Sequence, residues 1–381
     1  MAPLVITFRW SCRQSLGSIM DQQIRLGRLL IVNRILLFLG VYFLTRWESL
    51  VNFVLTFGKR WDGNSYTFIA DHWYVTTGPE RYFLVFPPFY PLLIKIGTIF
   101  TSNSVLSGMI ISNIFFVAAM IIFYKLLTLD YDKKFALLTI TLVSIFPTTF
   151  FFSVAYPESL FFFLFVSSFY LCRKKSYITA GVLGGLAMVT RPFGIVLVPT
   201  LIYQTFLQKD LSLKRFMIFV VTSTIPIALY LLINYVTFGD VFAFAELLKE
   251  NWQKSLAFPW DGIIASWKRG IFTPELNNYK FLVGYGEAIA STTAWISIFF
   301  GIKHWGIKSS YLFYLFLGTL FFTSTGFILS APRYLLSIPP FFILLARVVD
   351  TNKWLKITWI ICSTVLLFYV SYEFAWGHWT F

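Results

Sequence analysis

Long apolar runs alternate with short polar segments along almost the whole chain. A run of roughly 20 apolar residues is long enough to cross a bilayer as an α-helix. Helix is the backbone expected at that depth, because each unpaired amide is costly in hydrocarbon. The pattern therefore predicts an all-α polytopic membrane protein with about 11 transmembrane helices, roughly 10–12. The apolar runs are residues 28–47, 105–127, 135–152, 155–172, 177–190, 194–208, 216–236, 285–302, 310–329, 335–349 and 357–375.

One further apolar stretch, residues 84–101, does not fit a regular alternation of crossings. It begins with three closely spaced prolines, Pro87, Pro88 and Pro91. Proline removes a backbone donor and disfavours helix at the preceding residue, so a regular helix has to start late. We expect a re-entrant or interfacial segment here rather than an additional crossing.

The basic residues give the crossings a direction. The formal net charge is +14, and the basic residues fall mostly in short loops between apolar runs, which is the positive-inside pattern. This pattern places a first loop at residues 48–90 and a second large loop at 237–284 on the extracytoplasmic face. The loops that it places in the cytoplasm are residues 133–134, 173–175, 209–215, 303–308 and 347–356.

Composition narrows the class of protein further. Only 13% of the residues are charged and 57% are hydrophobic, whereas about a quarter of a soluble globular domain is charged. Nucleic acid is not an expected partner, because no basic face of a folded soluble domain is visible. The three cysteines form no CxxC pair and no Cys/His cluster, so neither a zinc site nor a disulfide framework is supported.

The first 27 residues are basic and have neither a long apolar core nor a small-residue cleavage site. These features are typical of a cytoplasmic N-terminal tail and not of a cleaved signal peptide. Residues 28–381 are then a single transmembrane domain, since no internal repeat or second domain is visible. The true start is compatible with either Met1 or Met20.

A polar, acid-bearing insert at residues 60–74 interrupts the apolar pattern. Its first turn carries Arg60, Trp61 and Asp62, and Asp71 and His72 follow. Charged groups are expensive near lipid, so such a cluster is a functional site by default. Asp62 has two readings from residue type: a general base within reach of a reacting hydroxyl, or the N-cap of the helical stretch that follows.

Three more charged residues fall at membrane edges on the same face. Glu158 begins a helix after a proline, where it either complements the helix dipole or belongs to the site. Arg191 lies between two apolar half-helices, where it either binds a phosphate or satisfies helix-end carbonyls. Arg333, followed by Tyr334, either binds a phosphate or extends its charge to the interface.

Neither a metal nor a cofactor is expected. Asp62 and Asp71 are too far apart in sequence to form a DxD pair, and no tight carboxylate cluster exists to hold a divalent ion. The chain also lacks a glycine-rich phosphate loop with Lys and Ser or Thr, which argues against nucleotide hydrolysis.

Several motifs together resemble the GPI mannosyltransferase 2 family and its prokaryotic relatives, which are GT-C glycosyltransferases. They occur in the family's order and span most of the chain. In the third motif, Arg191-Pro192-Phe193-Gly194 stands where eukaryotic members look more like Arg-Ser-Asn-Gly, which favours a prokaryotic enzyme with another acceptor. The matching segments are residues 60–62, 68–74, 86–92, 147–160, 190–194 and 331–334.

The resemblance implies a membrane glycosyltransferase whose first extracytoplasmic loop carries the active site. It would move a hexose, usually mannose, from a polyprenyl- or dolichyl-phosphate donor to a lipid-linked glycan or another extracytoplasmic acceptor. It implies Asp62 as the catalytic acidic residue, and an inverting transfer needs that one base only, because the phosphate leaving group requires no acid. The location would be the plasma membrane of a prokaryote or the endoplasmic reticulum membrane of a eukaryote.

The residues that would bind substrate around Asp62 are Arg60, Trp61, Asp71, His72, Glu158, Arg191, Arg333 and Tyr334. A polytopic lipid or sugar flippase or transporter is the alternative, because intramembrane charges and broken helices also mark substrate pathways. That alternative predicts repeats and polar residues near the bilayer midplane, whereas the chain shows no repeat and its polar groups lie at one edge. A non-catalytic assembly subunit is a third hypothesis.

Overall fold

A computed structural model describes residues 4–208, 212–252 and 255–381, with side chains described from residue 22 onwards. Over these residues the chain is helical and contains no β-strand, apart from one isolated bridge between Leu256 and Thr325. The predicted all-α class is therefore confirmed. The described residues leave out residues 1–3 of the predicted tail, which include Met1, and residues 209–211 of one basic loop.

The helices follow the apolar runs closely. The first half of the chain contains α1 (Leu4–Thr45), α2 (Leu50–Gly58), α3 (Asp62–His72), α4 (Phe89–Thr101), α5 (Ser104–Leu127), α6 (Lys133–Ser144), α7 (Glu158–Arg173), α8 (Tyr177–Met188) and α9 (Gly194–Gln208). The second half contains α10 (Leu213–Phe238), α11 (Ala243–Trp252), α12 (Pro259–Phe272), α13 (Glu287–Trp305), α14 (Ser310–Thr323), α15 (Ala331–Tyr334), α16 (Pro339–Val349) and α17 (Lys353–Ala375). Short 3₁₀ segments lie at Pro79–Val85, Thr149–Phe152 and Leu335–Ser337, and a π-helix lies at Tyr279–Gly286.

The two predicted extracytoplasmic loops are largely helical. The first, 48–90, contains α2, α3 and a 3₁₀ segment, and the second, 237–284, contains α11, α12 and the start of the π-helix. Apart from the helical stretch expected after Asp62, these elements were not predicted from the sequence, because helices of that length depend on tertiary packing rather than on their own propensity.

By length and hydropathy, fewer helices qualify as membrane-spanning than the 11 or so predicted from the sequence. Among the described residues, four helices are long and apolar enough to span a membrane: Gln22–Thr45 within α1, α5, α10 and α17. Two bent helix pairs raise the number to six if each counts as one span. The protein is thus an integral membrane protein of helices, and the number 11 stays a prediction.

The proline-rich stretch at 84–101 bends sharply. The 3₁₀ segment Pro79–Val85 and α4 meet at 110°, and Pro87 and Pro88 occupy the corner between them. This geometry fits a re-entrant segment or a broken span. Backbone N–H of Phe89, at the start of α4, donates to Val189 O at 3.0 Å and so ties the bend to the end of α8.

Helix α7 lies at the centre of the bundle and fixes the position of Glu158. It packs against α5, α8 and α9, and Phe161, Phe162 and Phe165 on its faces are almost completely buried. A helix that is apolar all round has to be surrounded by other elements. By contrast, α10 exposes apolar side chains such as Val221 and Val236, as a helix facing lipid does.

Candidate active site

Four segments that are distant in sequence meet at one end of the bundle. They are the start of α3 with Asp62, the start of α7 with Glu158, the turn between α8 and α9 with Arg191, and α15 with Arg333. The sequence placed these four charges on one face, and the structure joins them in one chain of ion pairs.

Arg333 is the centre of that chain. Its Nη1 donates to Asp62 Oδ2 at 2.7 Å, and its Nε donates to Glu158 Oε1. Nη1 of Arg191 donates to the same oxygen of Glu158. Buried charges are retained only when they are paired and hydrogen-bonded. Two carboxylates and two guanidiniums here balance one another.

The four paired side chains differ in solvent exposure, and Asp62 is the most exposed of them. The side chain of Glu158 is completely buried and that of Arg333 is 7% exposed, whereas that of Asp62 is 30% exposed. Of the two carboxylates, Asp62 is the one that is open to the surroundings, and Glu158 lies buried behind Arg333.

Asp62 is not the N-cap of α3, which was the structural alternative to a role as general base. Asp62 is the first residue of α3, and the N-cap is Trp61, which makes no side-chain capping bond. Trp61 has φ 50° and Trp73, at the other end of α3, has φ 68°. Positive φ is uncommon outside glycine, and such residues cluster at functional sites.

Close contact between α3 and the segment before α7 requires glycine at position 63. A Cβ there would lie 2.9 Å from the backbone oxygen of Gly58 and 3.1 Å from the ring of Tyr156. Tyr156 in turn donates its hydroxyl to Arg60 O at 2.8 Å. The glycine therefore lets the start of α3, and Asp62 with it, approach the start of α7.

Aromatic rings hold the guanidinium of Arg333 from two sides. Its Cζ lies 4.6 Å from the ring centroid of Tyr156 and 4.9 Å from that of Phe151. Such contacts are attractive, and more so away from water. Arg333 is thus fixed by two carboxylates and two rings.

Glu287 contributes to the site, although sequence reasoning did not select it. It is the buried first residue of α13, and its carboxylate accepts from Ser330 N at 2.6 Å and from Ala331 N at 2.5 Å. These amides are at the N-terminus of α15, where backbone donors have no helical partner. The feature of the sequence that could have pointed to Glu287 is that it is the single acidic residue in the apolar run 285–302.

The turn that carries Arg191 also depends on a glycine. A Cβ at Gly194 would lie 2.3 Å from the backbone of Met188, so α8 and α9 could not close on each other with any other residue. Nε of Arg191 and Oε2 of Glu158 are buried and have no hydrogen-bond partner among the described residues.

The remaining predicted residues lie around this cluster and not within it. Arg60 donates Nη2 to Ala375 O at 3.0 Å, and burial lowers the pKa of its guanidinium below the usual value. Tyr334 packs on Phe193, with ring centroids 5.4 Å apart. Trp61 is 46% exposed next to Asp62.

Asp71 and His72 lie at the far end of α3. Asp71 accepts from the hydroxyl of Ser104 at 2.9 Å, and His72 stacks on Phe68 at 4.5 Å between centroids. Asp71 is nine positions after Asp62, which corresponds to roughly 13 Å along an α-helix. The structure does not bring these two residues into the cluster of ion pairs.

Among the described residues, no group of three or more His, Cys, Asp or Glu is arranged to hold a metal ion. The four clustered charges include only two carboxylates, and each of them is bound to arginine.

Comparisons with known proteins agree with this architecture. The family described as dolichyl-phosphate-mannose-protein mannosyltransferase matches residues 86–236. This segment is less than half of the chain, and it contains Glu158 and Arg191 but neither Asp62 nor Arg333. No curated protein matches the sequence.

The fold is similar to the crystal structure of ArnT from Cupriavidus metallidurans bound to undecaprenyl phosphate, with a TM-score of 0.54 and 13% identity over 87% of this chain and 63% of that chain. An oligosaccharyltransferase from Archaeoglobus fulgidus gives a TM-score of 0.48 and 14% identity over 90% of this chain and 53% of that chain. The chain thus covers less than two thirds of either structure. The chain thus resembles a mannosyltransferase family over residues 86–236 and shares the fold of ArnT over most of its length, in line with the resemblance to membrane glycosyltransferases noted from the sequence.

Proposed function

We propose that this protein is a membrane glycosyltransferase that moves a hexose from a polyprenyl-phosphate donor to an acceptor hydroxyl. The observation that carries the proposal is a partly exposed carboxylate, Asp62, held by Arg333 at the end of a buried series of ion pairs. The family match is to mannosyltransferases that are named for a dolichyl-phosphate-mannose donor. The similar ArnT structure holds undecaprenyl phosphate, so both comparisons support a lipid-phosphate donor.

In this proposal Asp62 acts as a general base. It accepts the proton of the acceptor hydroxyl, whose oxygen then forms a bond to the anomeric carbon of the hexose. The bond between that carbon and the phosphate oxygen breaks, and the electron pair leaves with the lipid phosphate. No acid is needed, because phosphate is a good leaving group, and attack from the opposite face inverts the anomeric centre.

Arg333 has two tasks in this mechanism. It orients Asp62 by holding Oδ2 at 2.7 Å, and it provides positive charge beside the base. A positioned cation stabilises the negative charge that develops on the leaving phosphate. Arg191 supplies the second positive charge, and Glu158 keeps both guanidiniums in place by accepting from each of them.

The test is transfer of labelled mannose from polyprenyl-phosphate mannose to a lipid extract of the source cells by the reconstituted protein. We expect Asp62→Asn to lower turnover by about a hundredfold or more, because the base is lost. Asp71→Asn is the matched control. It changes an acid on the same helix whose partner is a surface serine, and we expect near-normal turnover.

Near-normal transfer by Asp62→Asn would remove this residue from the reacting centre. Absence of transfer by the wild-type protein, across several polyprenyl-linked sugars and with folding verified, would favour the flippase hypothesis instead. The labelled product of an active protein would also identify the acceptor.

A further inference from the structure

A cavity of about 470 Å³ is lined by residues from the segments 277–283, 327–329 and 378–379. Trp379 forms part of its wall and packs edge-on against Trp61, with ring centroids 5.2 Å apart. Trp61 is the residue directly before Asp62. The other lining residues that bear on its chemistry are Asn277, Asn278, Tyr279, Phe327 and His378.

The lining combines aromatic rings with hydrogen-bonding side chains. Tyr279, Phe327 and Trp379 supply rings, and two amides and an imidazole supply donors and acceptors. No Lys, Arg, Asp or Glu is among the described residues that line the cavity. The volume lies within the range of roughly 300–1,000 Å³ that is usual for small-ligand sites.

Hydrogen bonds fix the polar part of the wall in advance. Asn278 donates to Glu373 at 2.5 Å and accepts from the Tyr369 hydroxyl at 3.0 Å. Nδ1 of His378 is hydrogen-bonded to the same carboxylate oxygen of Glu373 at 2.6 Å. Polar groups that are held in place before binding recognise a ligand at lower entropic cost.

We propose that this cavity binds a hexose ring of a substrate, with the apolar face of the sugar against the aromatic rings and its hydroxyls on the amides and the imidazole. The proposal rests on the glycosyltransferase function proposed above, and it assigns a sugar-binding role to residues 277–279 and 378–379. The bound hexose is either the sugar of the donor or a sugar of the acceptor, since both have the same kind of ring. Steady-state kinetics distinguishes these two cases.

Direct labelling tests the cavity without relying on turnover. The reconstituted full chain is irradiated with a photoreactive methyl mannoside and with its glucose and galactose counterparts, and labelled peptides are mapped by mass spectrometry. Tyr279→Ala is compared with Phe281→Ala. Both positions lie on the same π-helix and are 48% exposed, but only Tyr279 lines the cavity.

We expect at least one of the three probes to label the segments 277–279 or 378–379 in the wild type and in Phe281→Ala, with competition by the unmodified methyl glycoside. Labelling should be lost in Tyr279→Ala. If all three probes label only other segments or none, or if Tyr279→Ala is labelled as strongly as Phe281→Ala, the proposal is wrong.

Steady-state kinetics then assigns the hexose. Loss of an aromatic anchor should raise one KM by about tenfold and leave kcat nearly unchanged, because Tyr279 does not touch the ion pairs. A raised KM for polyprenyl-phosphate mannose identifies the donor sugar, and a raised KM for the acceptor identifies the acceptor sugar. Unchanged KM for both, in a protein whose wild type is active, would overturn the hexose assignment while leaving the transferase intact.

Discussion

At the scale of single residues, the partner of each buried charge decides its role. Arg34 has the structural role that the sequence also allowed for Arg191. Its guanidinium donates to the backbone oxygens of Thr149 at 3.0 Å and Ser144 at 2.5 Å, and so satisfies helix ends. Arg191 pairs with Glu158 instead. Both arginines interrupt apolar sequence, and only the folded structure distinguishes the two.

Glu158→Gln should destabilise the protein, although glutamine has nearly the same shape as glutamate. The change leaves Arg191 and Arg333 buried with one fewer negative charge between them. Removing one partner of a buried ion pair costs about 3–5 kcal/mol. The measurement is the apparent melting temperature in detergent, together with the activity of protein that remains folded.

Glu250→Gln is the control for this change. Glu250 pairs with Arg81 at 2.5 Å, but both side chains are well exposed, and exposed pairs add little to stability. Equal melting temperatures for the two variants would show that Glu158 is not the buried counter-ion described above.

At the scale of elements, the site depends on how helices begin and end. Ser330, before α15, has φ 76°, and the carboxylate of Glu287 at the start of α13 binds the first amides of α15. The carbonyl of Pro332 accepts from Thr148 at 2.9 Å. These bonds fix a four-residue helix that could not hold itself in place, and thereby fix Arg333.

Gly194→Ala should disrupt the turn between α8 and α9, because the added Cβ would meet the backbone of Met188 at 2.3 Å. Overpacking of this kind costs roughly 1–3 kcal/mol, and the displaced turn should also weaken the pairing of Arg191. Gly326→Ala is the matched control, since its nearest neighbour would be the Cβ of Ala257 at 3.9 Å. Melting temperature and activity of both variants are measured, and similar losses for the two would contradict the close approach of α8 and α9.

At the scale of the whole molecule, two groups of ion pairs lie at opposite ends of α7. The ion pairs of the candidate site gather at the starts of α3, α7 and α15, whereas Arg173 and Asp130 pair at 2.7 Å beyond the opposite end of α7. The positive-inside rule assigns this second end to the cytoplasm. We therefore predict that the site and the cavity lie on the extracytoplasmic side.

Cysteine labelling tests this orientation. In a background with all three native cysteines replaced by Ser, Asp240→Cys should react with a membrane-impermeant maleimide added outside cells. Lys308→Cys should react only after the membrane is opened. Both positions are exposed, so access to the reagent depends on the side of the membrane. Reaction of both from the same side would reject the assignment of the basic loops.

The helical class, most helix positions and the residues that bear charge at the candidate site were predictable from the sequence. These properties are local: run length decides whether a helix can cross hydrocarbon, and a charge inside an apolar run is visible wherever it pairs. Proline positions likewise predicted the bend before α4, because proline limits its own backbone and that of the preceding residue.

Tertiary structure alone decided which charges meet. Arg333 and Asp62 are 271 positions apart in sequence, yet their side chains are 2.7 Å apart. The contribution of Glu287 and the cavity beside Trp379 also arise from contacts between distant segments. No local pattern encodes such contacts, because pairing depends on where packed helices place their ends, and the packing is a property of the whole bundle.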